Sequence, residues 1–199
     1  MVERQRENIV MEKTLTEQDQ KILLEIARSA IQSTIRGSKL ETLELKKLPD
    51  RLQKDGATFV TITKVGELRG CIGTLSAFQP LAEDVREHAI AAATQDYRFP
   101  PISKEELSQI NIEISYLSKP KDLEYKDSQE LLEKVHPYID GVTFIDGIQR
   151  ATFLPQVWEK LPDKEAFFDH LCLKMGVPVS TWRKGKLKVQ IYQVEEFHD

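Results

Sequence analysis

From Ala57 onward the hydrophobic period of the chain changes from that of a helix to two. Val60 and Ile62 alternate with Phe59, Thr61 and Thr63, Lys64-Val65-Gly66-Glu67 supplies a turn, and Leu68-Arg69-Gly70-Cys71-Ile72-Gly73-Thr74 returns. Two strands joined by so short a turn are antiparallel, because parallel neighbours need a crossover of a dozen residues or more. The same grammar recurs. Val142-Thr143-Phe144-Ile145 meets an Asp146-Gly147 turn, and Ile148-Gln149-Arg150-Ala151-Thr152-Phe153 returns. A helical pattern and one further alternating strand follow each hairpin, through Ile110, Ile112, Ile114 and Tyr116 in the first case and Leu187, Val189 and Ile191 in the second. This predicts an α+β fold, a mainly antiparallel sheet with flanking helices, rather than a doubly wound parallel sheet. Two ββαβ units, at about 57–117 and 141–194, are expected, each with an arginine (Arg69, Arg150) three residues after its turn glycine. Internal duplication and chance convergence on a common grammar both account for that likeness.

The helices announce themselves by their ends. Thr16 is a candidate N-cap, with Glu17 and Asp19 in the first turn, where the helix dipole favours acids. Ile22, Leu23, Ile26, Ala27, Ala30, Ile31 and Ile35 follow at helical spacing, and Gly37 is the stop signal. Pro80 stands where a first-turn proline belongs, ahead of the stripe Leu81, Val85, His88, Ala89 and Ala92. Ser103 and Glu106 have capping-box spacing. Asp163 caps a helix with Phe167, Phe168, Leu171, Cys172 and Met175 on one face, and Gly176 stops it. Residues 38–56 read as a loop with one short element.

Composition narrows the function classes. With 199 residues and 40% hydrophobic side chains the chain can bury a core. Twenty-eight Lys and Arg against 32 Asp and Glu leave a net charge of -4, so nucleic acid is not the expected partner. The basic run Arg183-Lys184-Gly185-Lys186-Leu187-Lys188 beside Trp182 reads as a solvated strand edge. Two cysteines make neither a disulfide framework nor a four-cysteine zinc site, and no histidine or carboxylate spacing suits a metal, so neither metal nor cofactor is expected. The first twenty residues are crowded with charge, and no apolar run approaches the ~20 residues a membrane span needs. A cytoplasmic location without membrane association is the expectation.

Two stretches could carry chemistry. In the return strand Arg69, Cys71 and Gly73 share one face, so Arg69 would stabilise a Cys71 thiolate, while Gly70 and Gly73 mark a bulge or the close approach of a ligand or backbone. The alternative is a buried structural cysteine among packing glycines. Asp96-Tyr97-Arg98-Phe99-Pro100-Pro101 could present Asp96 and Arg98 to a ligand, or could close on itself as an internal salt link. Arg69, Arg98 and Arg150 are candidate anion contacts. His88 falls on an apolar stripe and reads as a core histidine, which leaves Cys71 without an identifiable base.

Taken together, the arginine-glycine-cysteine stretch 68–74, the stretch 96–101, Ile112-Glu113-Ile114-Ser115, Phe153-Leu154-Pro155-Gln156-Val157-Trp158 and Leu171-Cys172-Leu173-Lys174-Met175-Gly176, continuing to Trp182, resemble the AMMECR domain family, protein A of the AmmeMemoRadiSam system. The resemblance covers roughly residues 20–197. It implies one domain over 16–199 with larger and smaller subdomains around a cleft, preceded by a variable tail at 1–15. It also implies that the RGCIG motif lies on or near that cleft, and that Memo-like and radical-SAM proteins are partners in a modification pathway. No reaction comes with the resemblance. The expected function is a ligand-binding or enzyme-associated module taking a small anion or peptide through Arg69, Gly70, Gly73, Asp96, Arg98 and Arg150. The alternatives are an enzyme with Cys71 as nucleophile, and a protein-protein adaptor or RNA-binding module.

Overall fold

The computed structural model of the protein describes residues 14–184 and 187–199. It divides into two compact units, one comprising residues up to Leu117 together with Glu195–Asp199, the other Ser118–Val194. The expected α+β architecture is present in both.

The first unit opens with α1 (Glu17–Arg36). Thr16 and Asp19 close a capping box at its start, and Gly37 ends it in the left-handed region at φ 69°. Past a short 3-10 turn at Leu45–Lys47 come β1 (Asp55–Lys64), β2 (Glu67–Gly73) and the two-residue β3 (Gln79–Pro80). Then follow α2 (Leu81–Thr94) and β4 (Ile110–Leu117). Pro80 stands one residue earlier than expected: it pairs with Asp55 in extended conformation and α2 begins after it. The chain comes back to this unit in its last strand, β9 (Val194–His198), which sequence reading did not anticipate. The sheet order is β2-β1-β4-β9.

Antiparallel pairing sets Thr61 opposite Cys71 on one side and opposite Glu113 on the other. Val60, Ile62, Ile112 and Ile114 are fully buried in one core with Leu23, Ala27 and Ile31 of α1 and Val85 and Ala89 of α2, so both helices cover the same face of the sheet. Two carboxylates near the C-terminus tie this end of the chain to α1 and to β4. Glu195 accepts from the Thr14 and Leu15 amides and from Gln20, and Asp199 accepts from the Ile112 amide and from Arg28.

The second unit contains β5 (Lys121–Asp122), α3 (Ser128–Lys134), β6 (Gly141–Asp146), β7 (Gln149–Phe153), α4 (Lys164–Met175) and β8 (Lys188–Tyr192). Its sheet order is β5-β8-β6-β7. Hairpin, helix and strand occur in the expected order in each unit, and in each the first hairpin strand lies between the other two. The second core is aromatic. Trp158 stacks on Phe167 with ring centroids 3.5 Å apart, and Phe168 packs edge-on against Trp182. The indole of Trp158 donates to the Asp140 carbonyl and that of Trp182 to Asp169, so neither buried N–H is left unpaired. The basic run begins in a 3-10 turn (Val179–Lys184), not a strand edge, and Arg183 pairs there with Asp169 and Glu165. Gly185 and Lys186 lie outside the described residues. No helix among the described residues is long and apolar enough to cross a membrane.

Candidate functional site

The two motifs singled out in the sequence form one assembly at the β2 edge of the first sheet. Gly70 faces α2, and a Cβ built on it would lie 2.2 Å from the Ala92 carbonyl oxygen, so only glycine lets strand and helix approach this closely. Because α2 lies against β2 here, the segment that leaves its C-terminus passes directly along the strand's outer edge. There Asp96 accepts the Cys71 N–H at 2.8 Å, and Arg98 donates to the Cys71 carbonyl at 3.3 Å. Arg98 also clamps Asp96 with Nε at 2.9 Å and a terminal nitrogen at 2.6 Å. Asp96 is only 4% exposed, and the hydrogen bond from Arg98, reinforced by the two amides, holds its carboxyl far below the usual carboxylate range. Of the two readings of this stretch, the internal salt link describes the geometry, with the Arg98 side chain still 43% exposed.

Arg69 takes a different direction from the one alternation suggests. The β1–β2 register slips between Ile62 and Thr63, which pair with Gly70 and Leu68, so Arg69 is the extra residue of a bulge. Its guanidinium grips both Glu106 oxygens at 3.0 and 3.1 Å and donates to the Pro100 and Pro101 carbonyls. Glu106 also accepts from the Ser103 amide and from Lys64, and these contacts, Arg69 foremost, bring its carboxyl down to about 2. The Phe99 ring lies under both arginines, with centroid distances of 6.0 Å to Arg69 and 5.5 Å to Arg98. The guanidinium that reaches Cys71 is that of Arg98, at the backbone carbonyl, while Arg69 is engaged by Glu106.

Cys71 is half-buried on the sheet face opposite the two helices. Its backbone groups point outward to Asp96 and Arg98, which makes Thr61–Cys71 a non-hydrogen-bonded pair in the ladder, the kind that brings side chains closest. The Thr61 hydroxyl donates to Cys71 Sγ at 3.3 Å. Glu113 occupies the next rung of the same row. Burial, then the charge of Glu196, raises its carboxyl above the ordinary range. Gly73 sits where a Cβ would lie 2.5 Å from the Phe59 ring, so the aromatic side chain covers the strand there.

Sequence reading missed Thr61 and Glu113 as neighbours of Cys71, since register across three strands is not visible in any one of them. Glu106 was recognised as a cap, which it is, but not as the partner of Arg69. His88 belongs to the other face of the sheet. Its Nδ1 lies 3.1 Å from the fully buried Asp84, which also accepts from the Thr58 amide and hydroxyl. It is a paired histidine, and among the described residues no imidazole hydrogen-bonds Cys71. Arg150 lies exposed on β7 of the second unit. Among the described residues no group of three or more histidine, cysteine or acidic side chains could hold a metal ion.

The family model for AMMECR1 matches residues 24–197, which takes in both motifs and both units. The chain belongs to the AMMECR1 family. Among AMMECR1 relatives, a protein of Methanothermobacter thermautotrophicus is 37% identical over 186 residues, covering 93% of this chain and 96% of that one. A protein of Sulfolobus acidocaldarius is 38% identical over 177 residues, covering 85% and 77%. The crystal structure of the uncharacterized protein PH0010 from Pyrococcus horikoshii is similar at a TM-score of 0.78, with 30% identity and 93% of each chain covered. The AMMECR1 fold of this chain is thus shared over 93% of its length with an experimentally determined structure.

Proposed function

We propose that this AMMECR1 protein is a ligand-binding, enzyme-associated module whose working surface is the sheet face carrying Phe59, Thr61, Cys71 and Glu113. One observation carries the reading: Asp96 holds the Cys71 amide. In acyl transfer the nucleophile's own N–H commonly helps to hold the developing oxyanion. Here that donor is occupied by a buried carboxylate, and among the described residues no histidine hydrogen-bonds the thiol. The charges of the two motifs are likewise paired with partners of their own, as Asp96–Arg98 and Arg69–Glu106. What they achieve is a fixed position for Cys71, and that suits recognition better than hydrolysis. A module that presents a ligand to a separate enzyme also fits the expected association with Memo-like and radical-SAM proteins.

The test is amide chemical-shift mapping of the full-length, isotope-labelled protein against a library of small anions, amines and short peptides. Binding should move the amides of Thr61, Cys71 and Glu113 and persist in Cys71→Ser. Perturbations confined to other surfaces would refute the assignment of this face.

A further inference from the structure

We infer that Glu113 controls the reactivity of Cys71, and that the ligand of this face carries a protonated amine which docks on Glu113 and thereby frees the thiol to ionise. The inference rests on the reading of this face as the working surface.

Three observations lead to it. First, Cys71, Thr61 and Glu113 form one row across three adjacent strands, and the Thr61 hydroxyl already touches the sulfur. Two rungs of an antiparallel ladder separate the Cα atoms of Cys71 and Glu113 by about 10 Å, and both side chains rise from the same face. Second, the surrounding charges are already matched. Arg98 is clamped on Asp96, while Arg69 and Lys64 share Glu106. Glu113, in contrast, has no hydrogen-bond or ion-pair partner among the described residues, although it is half-buried. Third, the groups facing Glu113 from β9 are Glu196, whose like charge raises its carboxyl, and His198, whose opposite effect is the smaller of the two. The desolvation of Glu113 points the same way, because a carboxyl strained by burial and by a neighbouring acid gains most from a cation placed against it.

The consequence for the sulfur follows from Coulomb's law. At a separation of about 8 Å and an effective dielectric between those of protein surface and water, a carboxylate disfavours a thiolate by roughly two- to sixfold. An ammonium group on Glu113 cancels that charge and restores the thiolate. The ligand class is therefore a small amine or an amine-bearing peptide side chain, in place of the anion that the arginines suggested in the sequence.

Alkylation of Cys71 by iodoacetamide reads the thiolate directly: the sulfur lone pair forms the S–C bond, iodide leaves with the C–I pair, and the thiol proton goes to buffer. Rates would be measured at pH 8 and constant ionic strength on the full chain by peptide mass spectrometry, with and without butylamine as probe. Glu113→Gln should react about two- to sixfold faster than wild type. Butylamine should accelerate the wild type saturably by a similar factor and leave Glu113→Gln unchanged. Glu113→Asp, which keeps the charge, should stay slow and respond to the amine, and so separates charge from packing. Equal rates for wild type and Glu113→Gln, or equal acceleration of both by butylamine, overturn the inference. Those results leave the binding surface standing if ligands still perturb its amides, so the two readings fail separately.

Discussion

Asp96 accepts the Cys71 N–H at 2.8 Å, and its partner Arg98 donates to the carbonyl of the same residue. One side-chain pair thus supplies at the outer edge of β2 the donor and the acceptor that another strand would offer. An edge filled this way cannot template further pairing at that residue.

Replacing Asp96 by Asn removes the charge of a buried acceptor while keeping its shape. The guanidinium pairing weakens and one amide hydrogen faces a donor. Urea unfolding should show a loss of about 1–3 kcal/mol, with Asp96→Ala at the upper end because it also leaves the Cys71 N–H unpaired.

Glu106 makes stability depend on pH in a defined direction. Its folded value of about 2 lies below the ordinary 4.5, so its contribution is present in full above about 4.5 and is lost as pH falls toward 2. The stability difference between wild type and Glu106→Gln should accordingly be largest above pH 5 and shrink on acidification. A pH-independent difference between the two proteins would show that Glu106 acts by packing alone.

Gly70→Ala tests steric closeness without any backbone strain. Its Cβ would meet a helix carbonyl, which cannot rotate away, and the expected loss is about 3 kcal/mol. Gly37→Ala gives the contrasting case, since nothing lies within 4 Å of its Cβ and only the left-handed conformation is disfavoured, at a cost of about 1 kcal/mol. Denaturant midpoints that rank these two variants in the opposite order would contradict the packing described for β2 on α2.

The two cysteines should differ sharply in the native protein. Cys172 is fully buried, and burial pushes its thiol up from the ordinary range. A neutral alkylating reagent should label Cys71 in minutes to hours and reach Cys172 only on unfolding, as peptide mapping before and after denaturation would reveal.

Local signals were legible where the physics is local. Thr16, Gly37, Ser103, Asp163 and Gly176 all cap or stop the elements they were read to end, because a cap needs only its own first or last turn. The Phe59–Ile62 alternation likewise reported its buried face. Three things were not legible. The bulge at Arg69 depends on how β1 registers against β2, and it redirects the guanidinium toward a carboxylate 37 residues away. Glu113 beside Cys71 requires two registers at once. Strand β9 lacks a clean alternation, since Glu195 points inward to the start of α1 and is buried through its hydrogen bonds, not through apolar character.

That last feature bears on how the protein is made. The strand that completes the first sheet, with Glu195 and Asp199 to fasten α1, follows the whole of residues 118–194 in the chain. At about 5–20 residues per second, a ribosome takes several seconds to add those intervening residues, and for that time the β4 edge has no β9 to pair with. The unit begun earliest thus waits for the last strand to be made.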